Sequence, residues 1–563
     1  MKRFTQYIIV AVIACMTALT AQARTISINV REVKGDLTEY LRNVGQTANY
    51  KDTVVLNFDE GSYIIKGSII FHSHLVMKGM GQQSTAVVFN KGNDRAGFKA
   101  FTDDCFIDVF GTLAHPLSAD ISDISFQLQG HKGIWWENSS NYLFKIRHCN
   151  KVNITRVTSR IDNAISTNFD LHVCSNVTVT DCDITNFNNS NGGGCLWLRG
   201  EAHNVSIKRN KFTKYGKDET LAVFDRLVDH TKKYIRGKAS RSDIFIEDNE
   251  FIYGGYKGQD KNPDANCGMI FSLFTDHKQS EDRCVTSNFH LRGNKFIIND
   301  ICTRCMYIGF DPADEHSDIY IENNEITHNA SGRDDLFYYC DIEVHDLSSS
   351  TDEIHINGNS LKNNYAIMNK YGSTGYAFLV TRGGHVNMAN NTIVNNVSRD
   401  PITGKPFGIE LVWHKSDGNN SAVTMSGNVC KGLDCIVHVG AWHLAEKFSL
   451  NASNNYFAGN TRVYCDQINK LDLDFTGNTF NSAGDGFFLH NFAQQGNVVF
   501  NSNEVNVTSG KGQFMTTKGS SSWRLSKLEM KNNVFKGVKS ESDMLKNLTN
   551  VRKRKVSSNT IKR

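Results

Sequence analysis

Asp341, Glu343 and His345 stand two residues apart, and the positions that alternate with them, Cys340, Ile342 and Val344, are apolar. Successive side chains of an extended strand point to opposite faces, so the three ionisable groups share one face and the apolar three fill the other. Outward neighbours lie about 7 Å apart along a strand, and parallel strands about 4.8 Å apart. Tyr307 and Asp311 on one flanking segment, and Glu410 and His414 on another, are therefore within reach of the same patch. Carboxyl groups about 5–9 Å apart are what glycoside hydrolysis uses as acid plus base or nucleophile. The same carboxylates also suit calcium, a hard cation that takes oxygen ligands. Calcium is the only cofactor the sequence leaves open, and no other metal site is expected. The plainer alternative is a solvated polar face, but three ionisable groups on one strand favour function.

Other residues could serve the same chemistry. A polysaccharide lyase needs a Lys, Arg or Tyr base beside a neutralised uronate carboxylate. Arg199, Arg226, Arg382 and Lys415 lie on comparable segments, with no lyase signature around them. Trp135, Trp136, Trp197, Trp413 and Trp442 can stack on sugar rings; alternation points Trp197 outward and Trp413 inward. Asp218 and Glu219 form an adjacent carboxylate pair at the start of Thr220-Leu221-Ala222-Val223, with a turn carboxylate as the plainer reading.

The elements that must hold these residues are set by a repeated template: apolar, x, apolar, two residues, Asn, x, apolar. Val205, Ile207, Asn210 and Phe212 give one copy, and Ile244, Ile246, Asn249 and Phe251 the next. Asn294, Asn324, Asn359, Asn391, Asn428, Asn455, Asn478, Asn503 and Asn533 follow, with Asn559 in a degraded last copy, at spacings from 23 to 45 residues. A constant floor with variable excess describes one unit that repeats while its loops vary. Alternation within each copy is strand periodicity. Asn suits the corner because it tolerates the left-handed backbone, and stacked Asn side chains can bond to one another from coil to coil. The shortest unit has room for three short strands and three turns. The expected fold is all-β, a right-handed parallel β-helix.

Three stretches resemble the pectate-lyase-like right-handed parallel β-helix superfamily. The run Val54-Val55-Leu56-Asn57-Phe58-Asp59-Glu60-Gly61-Ser62-Tyr63-Ile64-Ile65-Lys66-Gly67 is similar to the "fpaGtYlikg" opening, with Leu75-Val76-Met77-Lys78-Gly79-Met80-Gly81 following where "ltikGeG" stands. Ser175-Asn176-Val177-Thr178-Val179-Thr180-Asp181-Cys182-Asp183-Ile184 resembles the "SSNVTIENCTI" rungs, and the Asn array is the third. The resemblance implies that the strand before each Val-x-Ile segment lines a substrate cleft, which places Cys340–His345 in that groove. Gly216–Val223 also looks like the "GDDaIaI" segment of polygalacturonase-type hydrolases, which would make Asp218 and Glu219 an acid/base pair. The accompanying "NTD", "GHG" and "RIK" elements are missing, and Asn191-Gly192-Gly193-Gly194 stands where the first belongs.

Lys2 and Arg3, an apolar run from Tyr7 to Ala14 and Ala21-Gln22-Ala23 read as an export signal over residues 1–23. Val12-Ile13-Ala14-Cys15 resembles a bacterial lipoprotein signal, but apolar residues continue past Cys15 and the Ala-x-Ala site is well formed. Secretion or periplasmic residence is expected over lipid anchoring, and no segment is long enough to span a bilayer. Residues 24–120 are expected to form a cap and first irregular rungs, with a helix at 37–42, and residues 121–563 the repeats. The formal charge of +4, less Lys2 and Arg3, is near balance and excludes a nucleic-acid partner; the basic Val551–Lys555 end reads as a solvated terminus. Of 14 cysteines, Cys15 falls in the leader, so an odd number remains. Cys182, Cys195, Cys340, Cys430 and Cys435 occupy apolar slots and are expected as core thiols. Cys302-x-x-Cys305 has no second pair, which argues against zinc.

Export, the β-helix and the outward ionisable cluster point to a polysaccharide-processing enzyme, a glycoside hydrolase or lyase. The alternative is a non-catalytic β-helix that binds glycan. Asp341, Glu343, His345, Glu410 and Asp311 are the expected catalytic set. Tyr307, His414, Arg382, Trp197, Arg199, Asp218 and Glu219 are the expected substrate contacts.

Overall fold

The computed structural model describes residues 23–89, 105–129, 142–162, 167–187, 193–216, 219–224, 238–255, 269–275, 283–300, 304–329, 340–348, 350–364, 377–396, 408–411, 420–433, 435–439, 445–459, 463–465, 468–482, 487–490, 495–507, 515–518, 525–542 and 551–562. The export signal, Asp218 and His414 lie outside them, as do Trp135, Trp136, Trp413 and Trp442. Among the described residues forty-five strands are found, and they pair in parallel from coil to coil. The chain is a right-handed parallel β-helix, as the repeat predicts.

Three stacks of strands run along it. One holds Arg304–Phe310, Cys340–Asp346 and Ala377–Arg382 and is called here the groove sheet. A second stacks Ile319, Ile354 and Val386, and the third Ile326, Leu361 and Ile393. Apolar residues of all three sheets face one continuous core. In the third sheet Phe212, Phe251 and Phe296 stack with ring centroids 5.1 and 4.7 Å apart, so coil-to-coil register is fixed by ring packing as well as by backbone bonds.

The corner between the second and third sheets carries the Asn ladder. Asn249 is typical. Its backbone N–H and its Nδ2 both donate to Asn294 Oδ1 at 3.0 Å, while Nδ2 also donates to Ile207 O at 2.9 Å. Its own Oδ1 accepts from the N–H and Nδ2 of Asn210. Each buried amide is thereby satisfied, which is what makes burial of so polar a column affordable. The same pattern runs through to Asn559.

The sequence reading placed the left-handed residue at the ladder Asn itself. The structure places it one position earlier: Arg209, Asp248, Asn323, Asn390, Asn454, Ser502, Asn532 and Ser558 have φ of 53–58°, and Gly293, Gly358, Gly427 and Gly477 fill the same slot. The ladder Asn is selected by its amide rather than by its backbone tolerance. Cys182 is a buried core thiol, as expected. It also occupies the ladder column, its N–H donating to Asn210 Oδ1 at 3.0 Å and its thiol to Ile154 O at 3.5 Å. Cys195, Cys340 and Cys430 are buried thiols, as expected.

The helix predicted at 37–42 runs Leu37–Thr47, with the Asp36 side chain accepting from the N–H of Thr38 and Glu39. It interrupts the first coil, and Leu41 is buried in the core. A Cβ on Gly45 would come within 2.2 Å of the Ile70 carbonyl, so glycine sets how closely the helix packs on Ile69–Phe71. At the far end Val551–Ser557 pairs with Leu525–Lys531, and Arg552–Lys555 are exposed. Basic side chains on a terminal strand discourage edge-to-edge pairing between molecules.

Candidate functional site

Alternation along Cys340–Asp346 is as the sequence implied: Ile342 and Val344 join the core, and so does Ile308 one coil earlier. Asp341 and Glu343 take the opposite face. The expected solvent exposure is not found there, since both are 0% exposed. The strand is buried on both sides, because its outer face is covered as well as its inner one. Glu343 pairs with Arg304, whose guanidinium also lies 5.4 Å from the Tyr307 ring centroid, and Cys340 Sγ is 3.9 Å from a Glu343 oxygen. A carboxylate so held is compensated by charge and sealed from solvent, and breaking the pair would leave a buried charge alone.

His345 and Tyr307 remain half-buried on the same sheet, with Tyr307 Oη 3.2 Å from His345 Nδ1. They are diagonal neighbours: Tyr307 pairs in register with Glu343, and His345 with Gly309. Gly309 makes the diagonal possible. A Cβ there would lie 2.8–3.0 Å from the Tyr307 ring and hydroxyl, so the ring lies over the glycine to reach His345. At the end of the strand, Asp346 is buried and accepts from Ser348 at 2.6 Å, with His316 Nε2 at 2.9 Å, which pins the end of the segment that carries His345.

The other expected residues separate. Arg382 is in register with His345, and Glu410 lies two strands from Glu343 through Val380; only their backbones are described. Asp311 leaves the strand and opens a turn, its N–H donating to Asp314 Oδ2 at 2.7 Å, so it does not share the row of Tyr307 and Glu343. Asp314 organises that turn, also accepting from Thr275 Oγ1 and the Cys284 N–H. Glu219 is half-buried, and its carbonyl accepts from Trp197 Nε1 at 3.3 Å.

Trp197 and Arg199 belong to a second group on the same outer face that sequence reasoning largely missed. Asp170 binds His172 Nε2 and Arg199 Nε at 2.6 Å each, and Arg199 also donates to Tyr142 Oη at 3.2 Å. The Arg199 guanidinium packs against the rings of Trp197 and Phe224 at 4.8 and 4.6 Å. One coil earlier Arg147 pairs with the buried Asp108 and lies 3.9 Å from the Phe110 ring centroid. All these charged groups are buried. Burial alone would raise the Asp170 carboxyl, but Arg199 and His172 hold it at about 2. Burial pushes the His172 imidazole down to about 4 against the pull of Asp170, so it is neutral at pH 7. Trp197 is on the outward side as expected but buried, so it is not a free sugar platform. The signal was available: Asp170-x-His172 has the same period-two spacing as Glu343-x-His345.

Among the described residues no group of three or more His, Cys, Asp or Glu side chains is arranged to hold a metal ion, and no helix is long and apolar enough to cross a membrane. No family model matches the chain, and no curated protein matches it. Among solved structures it is similar to the catalytic unit of a thermostable GH87 alpha-1,3-glucanase from Streptomyces thermodiastaticus strain HF3-3, at 12% identity and a TM-score of 0.32, over 94% of this chain and 69% of that one. It is similar to an N-terminal fragment of the bacteriophage Phi29 gene product 12 at 9% identity and 0.31, over 95% and 93%. It is also similar to the PL6 family alginate lyase AlyGC at 11% and 0.26, over 96% and 100%. Likenesses this distant carry no chemistry to this chain.

Proposed function

We propose that the chain is an exported polysaccharide-processing enzyme and that its groove sheet performs proton transfer through Tyr307 and His345. The observation that carries this reading is the 3.2 Å contact between these two half-buried groups on a face where both neighbouring carboxylates are sealed. Hydrolysis by two carboxyl groups needs both to reach the glycosidic bond and, in an inverting enzyme, a water between them. Asp341 and Glu343 are covered, and Glu343 is tied to Arg304. Elimination needs a base for the proton beside a uronate carboxylate and an acid for the leaving oxygen, roles that phenol and imidazole can fill.

The substrate class is therefore an acidic, uronate-containing polysaccharide. The Tyr–His pair takes the proton from the carbon next to the carboxylate and returns one to the leaving oxygen; the bond between that oxygen and the sugar ring breaks, leaving a double bond. Neutralisation of the carboxylate is assigned to Arg382, supported by the register of its backbone with His345. Export rests on the leader-like residues 1–23. The test is incubation of the purified protein with acidic and neutral polysaccharides, following reducing ends together with the ultraviolet absorbance of the conjugated product. Both signals together support elimination, and reducing ends alone mean hydrolysis. Binding without release of either would favour a non-catalytic glycan-binding role.

A further inference from the structure

Cys149 and Cys174 are register partners on adjacent coils, in the strands Tyr142–Asp162 and Thr167–Thr180. Parallel neighbours are about 4.8 Å apart, inside the range of Cα separations that a disulfide spans. Cys149 Sγ lies 3.6 Å from Arg147 O, and Cys174 Sγ lies 3.5 Å from Ile146 O on the Cys149 strand. Their flanking register partners carry no sulfur: Leu117 precedes Cys149 and Ala202 follows Cys174. Both cysteines sit just after a left-handed residue, His148 at φ 50° and Val173 at φ 52°. The pairing with the next coil also shifts register between His172 and Cys174. The backbone at this corner is thus irregular in both coils at the point where the sulfurs meet, and it follows directly on Arg147 and His172, whose side chains belong to the buried charged group.

We propose that Cys149 and Cys174 form a redox site, a dithiol that a small-molecule disulfide oxidises to a bond between coils. One thiolate attacks a sulfur of oxidised glutathione, forming a mixed disulfide and releasing one glutathione thiolate. The second thiolate then attacks the protein sulfur of that mixed disulfide, forming the Cys149–Cys174 bond and releasing the second glutathione. Two protein thiols lose two protons and two electrons, and one glutathione disulfide becomes two thiols. Both cysteines are buried in the folded chain, and Cys149 is held as a thiol by its contact with Cys174 and by burial, so the bond forms as the coils close during folding. It then ties together the corner that orients Arg147 and His172.

The full mature chain is denatured and reduced, then refolded with a reduced/oxidised glutathione mixture or with reduced glutathione alone. Free thiols are blocked under denaturing conditions, and the digest is mapped by mass spectrometry. The expected result with the mixture is a peptide pair linked through Cys149 and Cys174, while Cys430, whose register partners are Ile393 and Phe457, stays blocked. The Cys174→Ala variant keeps a small apolar side chain and should leave Cys149 blocked under the same treatment. Recovery of Cys149 and Cys174 as blocked thiols from wild-type protein refolded to native circular dichroism would overturn the proposal. So would linkage of Cys149 to another cysteine.

Discussion

Gly309 and Tyr307 share a strand, and the absence of a side chain at Gly309 is what lets the Tyr307 ring lie across it and bring Oη to 3.2 Å from His345 Nδ1. The polar pair thus depends on a backbone position that takes no part in chemistry. Gly309→Ala should push the ring away and lower turnover while leaving the melting temperature little changed. Restored activity on mutating Tyr307 in the same background would show that the ring is not the affected group.

Tyr307→Phe removes only the hydroxyl. If that group transfers the proton, turnover on a uronate polymer should fall by about 10²–10⁴-fold with little change in KM. An effect confined to KM would make Tyr307 a binding residue.

The Asn ladder ends where Cys182 replaces Asn, and the thiol donates only weak bonds, to Ile154 O at 3.5 Å and Thr180 O at 3.2 Å. Cys182→Asn should extend the column by one amide and stabilise the chain by about 0.5–1.5 kcal/mol. In the opposite sense, Asn324→Ala removes the acceptor used by both the N–H and Nδ2 of Asn294. It should cost about 2–4 kcal/mol, since two buried donors lose a partner at once. Denaturant midpoints of the two variants check both signs.

Burial lowers both His172 and His328 to about 4, and it shifts His74, His148 and His290 in the same direction. Histidine in the unfolded chain has a pKa of about 6.5. Between these values the unfolded state binds more protons, so stability is full above about pH 6.5 and is lost as pH falls towards 4, by about 1.4 kcal/mol per pH unit for His172 and for His328. Asp170, held at about 2, adds to the loss below about pH 4, where the unfolded carboxylate begins to protonate. Urea midpoints should fall from pH 7 to pH 5; a flat or rising midpoint would contradict the buried neutral histidines.

The fold was legible because its signals are local and repeated. Alternation of Ile342 and Val344 with Glu343, and an Asn at one fixed place in each unit, are properties of the chain in one dimension. The Asn corner was legible in position but not in cause: the left-handed slot precedes the amide, and Arg209 or Ser502 in it carries no compositional signal. Exposure of the site was not legible, because period-two spacing gives the face of a strand and not what covers that face. Asp341 and Glu343 were therefore expected in solvent and are sealed. Asp170 and His172 carried a readable spacing, but Arg199, which pairs with Asp170, and Tyr142, which accepts from Arg199, lie on other coils, 57 residues apart, and only the register of the stacked strands brings them together.

The most direct test of the proposed chemistry is the mass of the oligosaccharides released from a uronate polysaccharide by the wild-type protein and by Tyr307→Phe. Elimination requires products whose new non-reducing ends are unsaturated and one water lighter than hydrolytic ends, and their near-complete loss in the variant. Saturated ends from the wild type, or unsaturated ends formed at the same rate by the variant, would contradict proton transfer through Tyr307 and His345.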